Sequence, residues 1–172
     1  MANQWERDLK KSSMFFMEKV WPKVSGVCGG GKIKPVEVMT DNQIANDLDL
    51  LCGIDVWQST GVGARGIASR VQFNCGKAWN TFTIRYKRDS GATTEYEKRL
   101  EAIKTGRFIY PYLTCQAYFD KNDSLLSAGI ARTLDIFNAV GSNPIIRRTS
   151  NASFIAVNFD DVKNIKIVTS YK

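Results

Sequence analysis

Asp55 stands in the turn Gly53-Ile54-Asp55, and Arg70 and Gln72 lie two positions apart in a later strand-like stretch, residues 67–73. Residues i and i+2 of a strand share a face, so the pattern sets an acid beside a cation and an amide. Phosphodiester hydrolysis at a metal uses such groups: carboxylates hold hard divalent cations, and a cation or amide sits near the attacking water. The same residues also read as a structural ion pair between Asp55 and Arg70.

The chain has no histidine. Ser–His and Cys–His catalysis, imidazole general bases and histidine-ligated metals are therefore excluded, and chemistry falls to carboxylates, Lys, Tyr, Ser or Cys. Cys28, Cys52, Cys75 and Cys115 lie too far apart for zinc-site spacing and read as buried free thiols. Gly29-Gly30-Gly31 lacks the Lys-Ser/Thr ending of a phosphate loop and reads as a mobile connector.

The elements that must position these groups follow from periodicity. Residues 3–23 have helical spacing and end at Pro22; residues 36–49 form a short helix or a loop. Strands are expected at 48–57, 67–73, 81–87, 108–119 and 125–131, with a glycine-rich turn at 61–66. In residues 81–87 the alternation sets Thr83, Arg85 and Lys87 on one basic face. Thr94 and Glu97 make a capping box for a helix at 95–104 whose Glu95, Lys98 and Arg99 belong to a solvated charged face. Gln116 is polar within an aromatic strand, so it faces an edge or belongs to a polar site. A helix at 133–140 and strands at 154–159 and 165–170 complete an α/β chain with a central mixed sheet flanked by helices.

A chain of 172 residues forms one sizeable core, so a single domain over 1–172 is expected. Its 44% hydrophobic and 24% charged residues exclude the disordered and collagen classes. No apolar run approaches the roughly 18 residues that span a bilayer, and Met14-Phe15-Phe16-Met17 is too short for a signal core, so no membrane role and a cytoplasmic location are expected. The net charge of +7 points to a polyanionic partner. Tyr86, Tyr110, Tyr112 and Tyr118 read as core or sheet-face residues, and those beside Arg85, Lys87, Arg88 and Arg107 are also placed to stack bases.

The strings GIDVW, GIASRVQF, WNTFTIRYKRDSGATTEYEKRL and YPYLTCQAYFD, within residues 5–140, resemble the PD-(D/E)XK nuclease-like superfamily, particularly its small phage-encoded members. The resemblance implies a restriction-endonuclease-like core: a helix, a three-stranded meander, a helix and a further strand. It implies a metal-dependent nuclease that hydrolyses DNA phosphodiesters with Mg or Mn, and it matches Asp55 to the family's first metal-binding aspartate. On the family's second strand an acid, one position and a lysine are expected. Arg70, Val71 and Gln72 occupy those places, so a cation replaces a carboxylate.

Glu95 or Glu97 with Lys98, or Glu18 on the first helix, would then have to supply the missing ligand. The implied set is Asp55, Gln72, Glu95 and Lys98 for catalysis, Asp55, Glu18 and Glu95 for metal, and Arg70, Arg85, Lys87 and Arg88 for nucleic acid. The alternative is a catalytically inactive protein of the same fold and of phage origin. In the host cytoplasm it would bind nucleic acid, DNA above all, or a host protein; a homodimer is also compatible.

Overall fold

Phe15, Phe16, Val20, Trp21 and Val24 recur at the three- and four-residue spacing of one helix face, and all five are buried. In the computed structural model, which describes residues 11–36, 42–141 and 144–169, they build helix α1 over residues 11–24. The middle of α1, Phe16–Val20, is a π-helix whose last turn closes with the Trp21 N–H donating to the Phe16 carbonyl. Pro22 therefore does not end the helix as expected. It occupies the first turn of the resumed α segment Trp21–Val24, where its missing N–H leaves no bond unmade.

Strands β1 (Lys32–Pro35), β2 (Val56–Thr60), β3 (Gly63–Gln72), β5 (Leu113–Phe119), β6 (Leu125–Arg132) and β9 (Lys166–Thr169) form a six-stranded sheet in the order β1-β2-β3-β5-β6-β9. Its β3–β5 pair is parallel, with Arg70 opposite Gln116, and its other pairs are antiparallel. The expected meander is corrected here. Strand β4 (Thr81–Arg88) leaves that sheet and pairs with β8 (Ala152–Asn158), which pairs with β7 (Ile145–Arg148), in a separate three-stranded sheet. The protein is thus mixed α/β, with two sheets where one was expected.

Alternation decides what each face of the large sheet covers. Ile67 and Val71 of β3 and Leu113, Cys115, Ala117 and Phe119 of β5 pack with α1, and burying Phe16 fully contributes about 2 kcal/mol. Tyr118 points the other way, into a second cluster with Phe82, Ile84, Ile155, Val157 and Phe159. Its hydroxyl donates to the Thr81 carbonyl at 2.6 Å, fastening the two sheets.

Three further α-helices are present among the described residues: α2 (Asn42–Leu50), α3 (Glu95–Thr105) and α4 (Thr133–Ala139). Helix α2 resolves residues 42–49 of the open reading over 36–49 as helix, residues 37–41 lying outside the described residues, and it displaces the expected strand start from residue 48 to Val56. The turn at 61–66 is also shorter than expected, because β3 already begins at Gly63. Strands β1 and β7 lie where no strand was expected. The N-terminal part of the expected first helix lies outside the described residues. No helix among the described residues is long and apolar enough to cross a membrane.

The glycine connector is pinned, not loose: buried Gln58 donates to the carbonyls of Cys28 and Gly30, and Arg65 donates to that of Cys28. The cysteines are free thiols, but only Cys28 and Cys115 are buried.

Gly66 of β3 carries the close approach that fixes the Asp55 turn. A Cβ there would lie 2.6 Å from the Ile54 side chain, one residue before Asp55. Gly66→Ala is therefore expected to destabilise the protein by about 1–3 kcal/mol in chemical denaturation. Unchanged stability would mean that Ile54, and the turn with it, is free to shift.

Candidate functional site: an arginine-rich cleft between the sheets

The departure of β4 from the large sheet opens a cleft of about 320 Å³. Its walls come from the Asp49–Asp55 segment, Ala68 to Arg70 of β3, Thr83, Arg85 and Arg88 of β4, Glu95, Lys98 and Arg99 of α3, and Gln116 of β5. It therefore collects Asp55, Arg70, Arg85, Arg88, Glu95 and Lys98, six of the residues singled out from the sequence. Gln72, at the end of β3 opposite Tyr118, does not line it. Nor do the exposed Glu18 of α1 and the exposed Lys87 of β4.

Lys87 is left out for a local reason. A bulge shifts the β4–β8 register, so Arg85 pairs with Phe154, Lys87 with Ser153 and Arg88 with Ala152. Phe154 and Ala152 share a face while Ser153 points away, which puts Arg85 with Arg88 and turns Lys87 to the opposite side. The expected Arg85–Lys87 face is corrected to Arg85–Arg88.

Glu95 is the hub of the cleft. The Thr94–Glu97 capping box starts α3 and so sets Glu95 in its first turn. One Glu95 oxygen meets Arg99 Nη1 at 2.6 Å, and the other meets Arg70 Nη2 at 3.0 Å and the Arg85 backbone N–H at 3.3 Å. Burial alone would raise this carboxyl, but Arg99, Arg70 and the Arg85 N–H together hold it below its ordinary value. Arg99 is 5% exposed and so is not part of a solvated face. The signal was there in the sequence, in the i, i+4 spacing of Glu95 and Arg99.

Arg70 does not pair with Asp55, the other reading its position allowed. Besides Glu95 it donates to the Thr83 carbonyl and hydroxyl, each at 3.1 Å. Asp55 accepts instead from the Ser69 N–H at 2.6 Å, while its backbone N–H donates to Ile67 at 3.0 Å. Burial pushes the Asp55 carboxyl up to about 7; the Ser69 N–H opposes this, Asp49 and Glu95 add to it, and Arg99 opposes it. Lys98 donates to the Leu50 carbonyl at 2.6 Å, tying α3 to the end of α2.

Gln116 resolves as a member of the polar site. It is 1% exposed, and its Oε1 accepts from the Thr83 hydroxyl at 3.0 Å. Its Nε2 and the Nε of Arg99 are buried donors without a partner among the described residues.

A hard divalent cation needs converging carboxylate oxygens. Here both Glu95 oxygens are occupied by guanidinium groups, and no cluster of three or more His, Cys, Asp or Glu placed to hold a metal occurs among the described residues. The Mg or Mn site implied by the resemblance does not fit this donor set. What the cleft offers is positive charge: five cations against three carboxylates, one of which, Asp55, titrates near neutrality. No protein-family model, curated protein or solved structure matches the chain.

The raised Asp55 has a defined linkage sign. Between 3.8 and about 7 the folded protein holds a proton that the unfolded chain has released, so this group's contribution to stability falls as pH rises through that window. Asp55→Asn removes the charge and keeps an oxygen for Ser69. Its melting temperature is expected to gain on the wild type from about pH 4 to about pH 7 and to hold that gain at higher pH. A difference independent of pH would mean that folding leaves the Asp55 carboxyl at its ordinary value.

Proposed function

We propose that this protein is a nucleic-acid-binding module of nuclease-like ancestry that works without metal-dependent catalysis. The observation that carries the reading is the pair Arg70 and Arg85, two cations of the cleft wall that both lie against the ring of Phe154 on β8. The two guanidinium carbons lie 5.5 and 5.6 Å from the Phe154 ring centroid, and Arg88 flanks them on the same strand face. Burial lowers the Arg85 pKa from its ordinary value, and the like charges of Arg70 and Arg88 lower it further, with Glu95 opposing. A bound phosphate would relieve that repulsion, and an aromatic ring beside arginines is a surface against which a base packs.

DNA is the favoured ligand and the cytoplasm of a phage host the favoured location, both resting on the resemblance. A metal-dependent DNA nuclease is the second reading. The charges of Asp49 and Glu95, which add to the rise in the Asp55 pKa, favour it, because an added cation would offset them. It requires Glu95 to exchange its arginines for a metal ion.

Fluorescence anisotropy with labelled single-stranded DNA in EDTA tests the binding reading. Affinity is expected to fall steeply with salt, and Arg88→Ala is expected to lower the salt slope by about 1, the loss of one phosphate contact. Absence of binding to either DNA or RNA at low salt would leave the positive charge a solubilising feature only. Incubation of supercoiled, linear and branched DNA with Mg or Mn is expected to give no cleavage; cleavage abolished in Asp55→Ala would establish the second reading instead.

A further inference from the structure

Resting on nucleic-acid binding at this cleft, we infer that it takes a terminal phosphate, the phosphomonoester of a strand end, with Gln116 and Arg99 as its innermost donors. The fold leaves Gln116 Nε2 and Arg99 Nε buried in the cleft wall without partners. A buried donor left unsatisfied costs about 1–3 kcal/mol, so each such group calls for an acceptor. Gln116 cannot turn its amide round to avoid this, because its oxygen already accepts from the Thr83 hydroxyl at 3.0 Å and the Thr83 N–H at 3.4 Å.

The remaining groups narrow the class of acceptor. The cleft presents the donors Arg70, Arg85, Arg88, Lys98 and Arg99 against three carboxylates, Asp49, Asp55 and Glu95; Glu95 is already bound on both oxygens, and Asp55 accepts from the Ser69 N–H. A ligand with several acceptor oxygens and no donors complements that set. A phosphomonoester carries a charge of about −1.5 to −2 and three acceptor oxygens, whereas an internal phosphodiester carries a single charge and two ester substituents that must leave the site. The volume of about 320 Å³ is at the small end of ligand sites, which run from about 300 to 1,000 Å³, and suits a strand end better than a continuous duplex. The Phe154 ring, beside Arg70 and Arg85 at the edge of the cleft lining, is then the neighbouring aromatic surface for the terminal base.

Anisotropy in EDTA with one single-stranded DNA sequence, prepared with a 5′-phosphate, a 3′-phosphate or neither, tests this directly. One phosphorylated end is expected to bind about tenfold tighter than the unphosphorylated strand, the order of one charge-assisted hydrogen bond. Gln116→Met, which keeps side-chain volume but removes the amide donor together with the oxygen that accepts from Thr83, is expected to abolish the preference while the unphosphorylated strand still binds. If that variant fails to fold, Lys98→Gln serves in its place and is expected to reduce the preference. A nucleoside 5′-monophosphate that displaces the strand at equal concentration supports the same phosphomonoester site and assigns a free nucleotide as its source. Equal affinity for phosphorylated and unphosphorylated strands would overturn the inference while leaving nucleic-acid binding intact. Failure of every strand to bind would overturn the binding reading, and this inference with it.

Discussion

The Glu95 carboxylate held between Arg70 and Arg99 is the interaction on which the cleft depends. It joins three segments distant in sequence: β3 through Arg70, α3 through Glu95 and Arg99, and β4 through the Arg85 backbone N–H. Removing one member of such a partly buried pair leaves an uncompensated charge, a loss of about 3–5 kcal/mol in comparable sites. The same interaction bears on the chemistry. A carboxylate whose two oxygens are shared among arginines is a positioning group, and it orders cations that would otherwise repel one another.

Why a polar cleft exists within an otherwise close-packed protein follows from sheet topology. Strand β4 abandons its neighbours in sequence to pair with β8, and the gap between the two sheets is bridged by side chains, not by backbone ladders. Tyr118 and Thr81 close one part of the gap with a buried hydrogen bond, and the apolar cluster around Phe82 and Phe159 fills another. Where polar side chains line the gap instead, at Arg70, Thr83 and Gln116, the space stays open. The bulge in β4 then adds Arg88 to that opening and removes Lys87 from it.

Much of this was legible in the chain itself. The capping box of α3, the strand from Thr81 and the strand pair around β5 and β6 have strong local signals, and each forms close to its expected place. Asp55, Arg70, Arg85 and Glu95 were each singled out as well, Asp55 and Arg70 by turn position and period-two alternation, Arg85 by the basic face of its strand and Glu95 by the resemblance; that Arg85 and Glu95 line one cleft with the other two was not anticipated. The partner of each residue was not. Arg70 has two carboxylates within its neighbourhood, and only the transfer of β4 to the second sheet decides that it reaches Glu95 and Thr83, not Asp55. Arg99 looked like one more charge on a solvated helix, since helix periodicity says nothing about which side another segment covers. Strands β1 and β7, each of four residues, are too short for alternation to register and take their form from pairing with β2 and β8.

An anion site organised by Glu95 and a divalent-cation site anchored on Asp55 make opposite demands on this cleft. Calorimetric titration of Mn²⁺ into the protein at neutral pH, with and without single-stranded DNA, separates the two. An anion site is expected to show no saturable binding attributable to Asp55 and a DNA affinity that is the same with Mn²⁺ as with EDTA at matched ionic strength. Stoichiometric Mn²⁺ binding that is lost in Asp55→Ala, together with DNA binding that requires the metal, would establish the cation site instead.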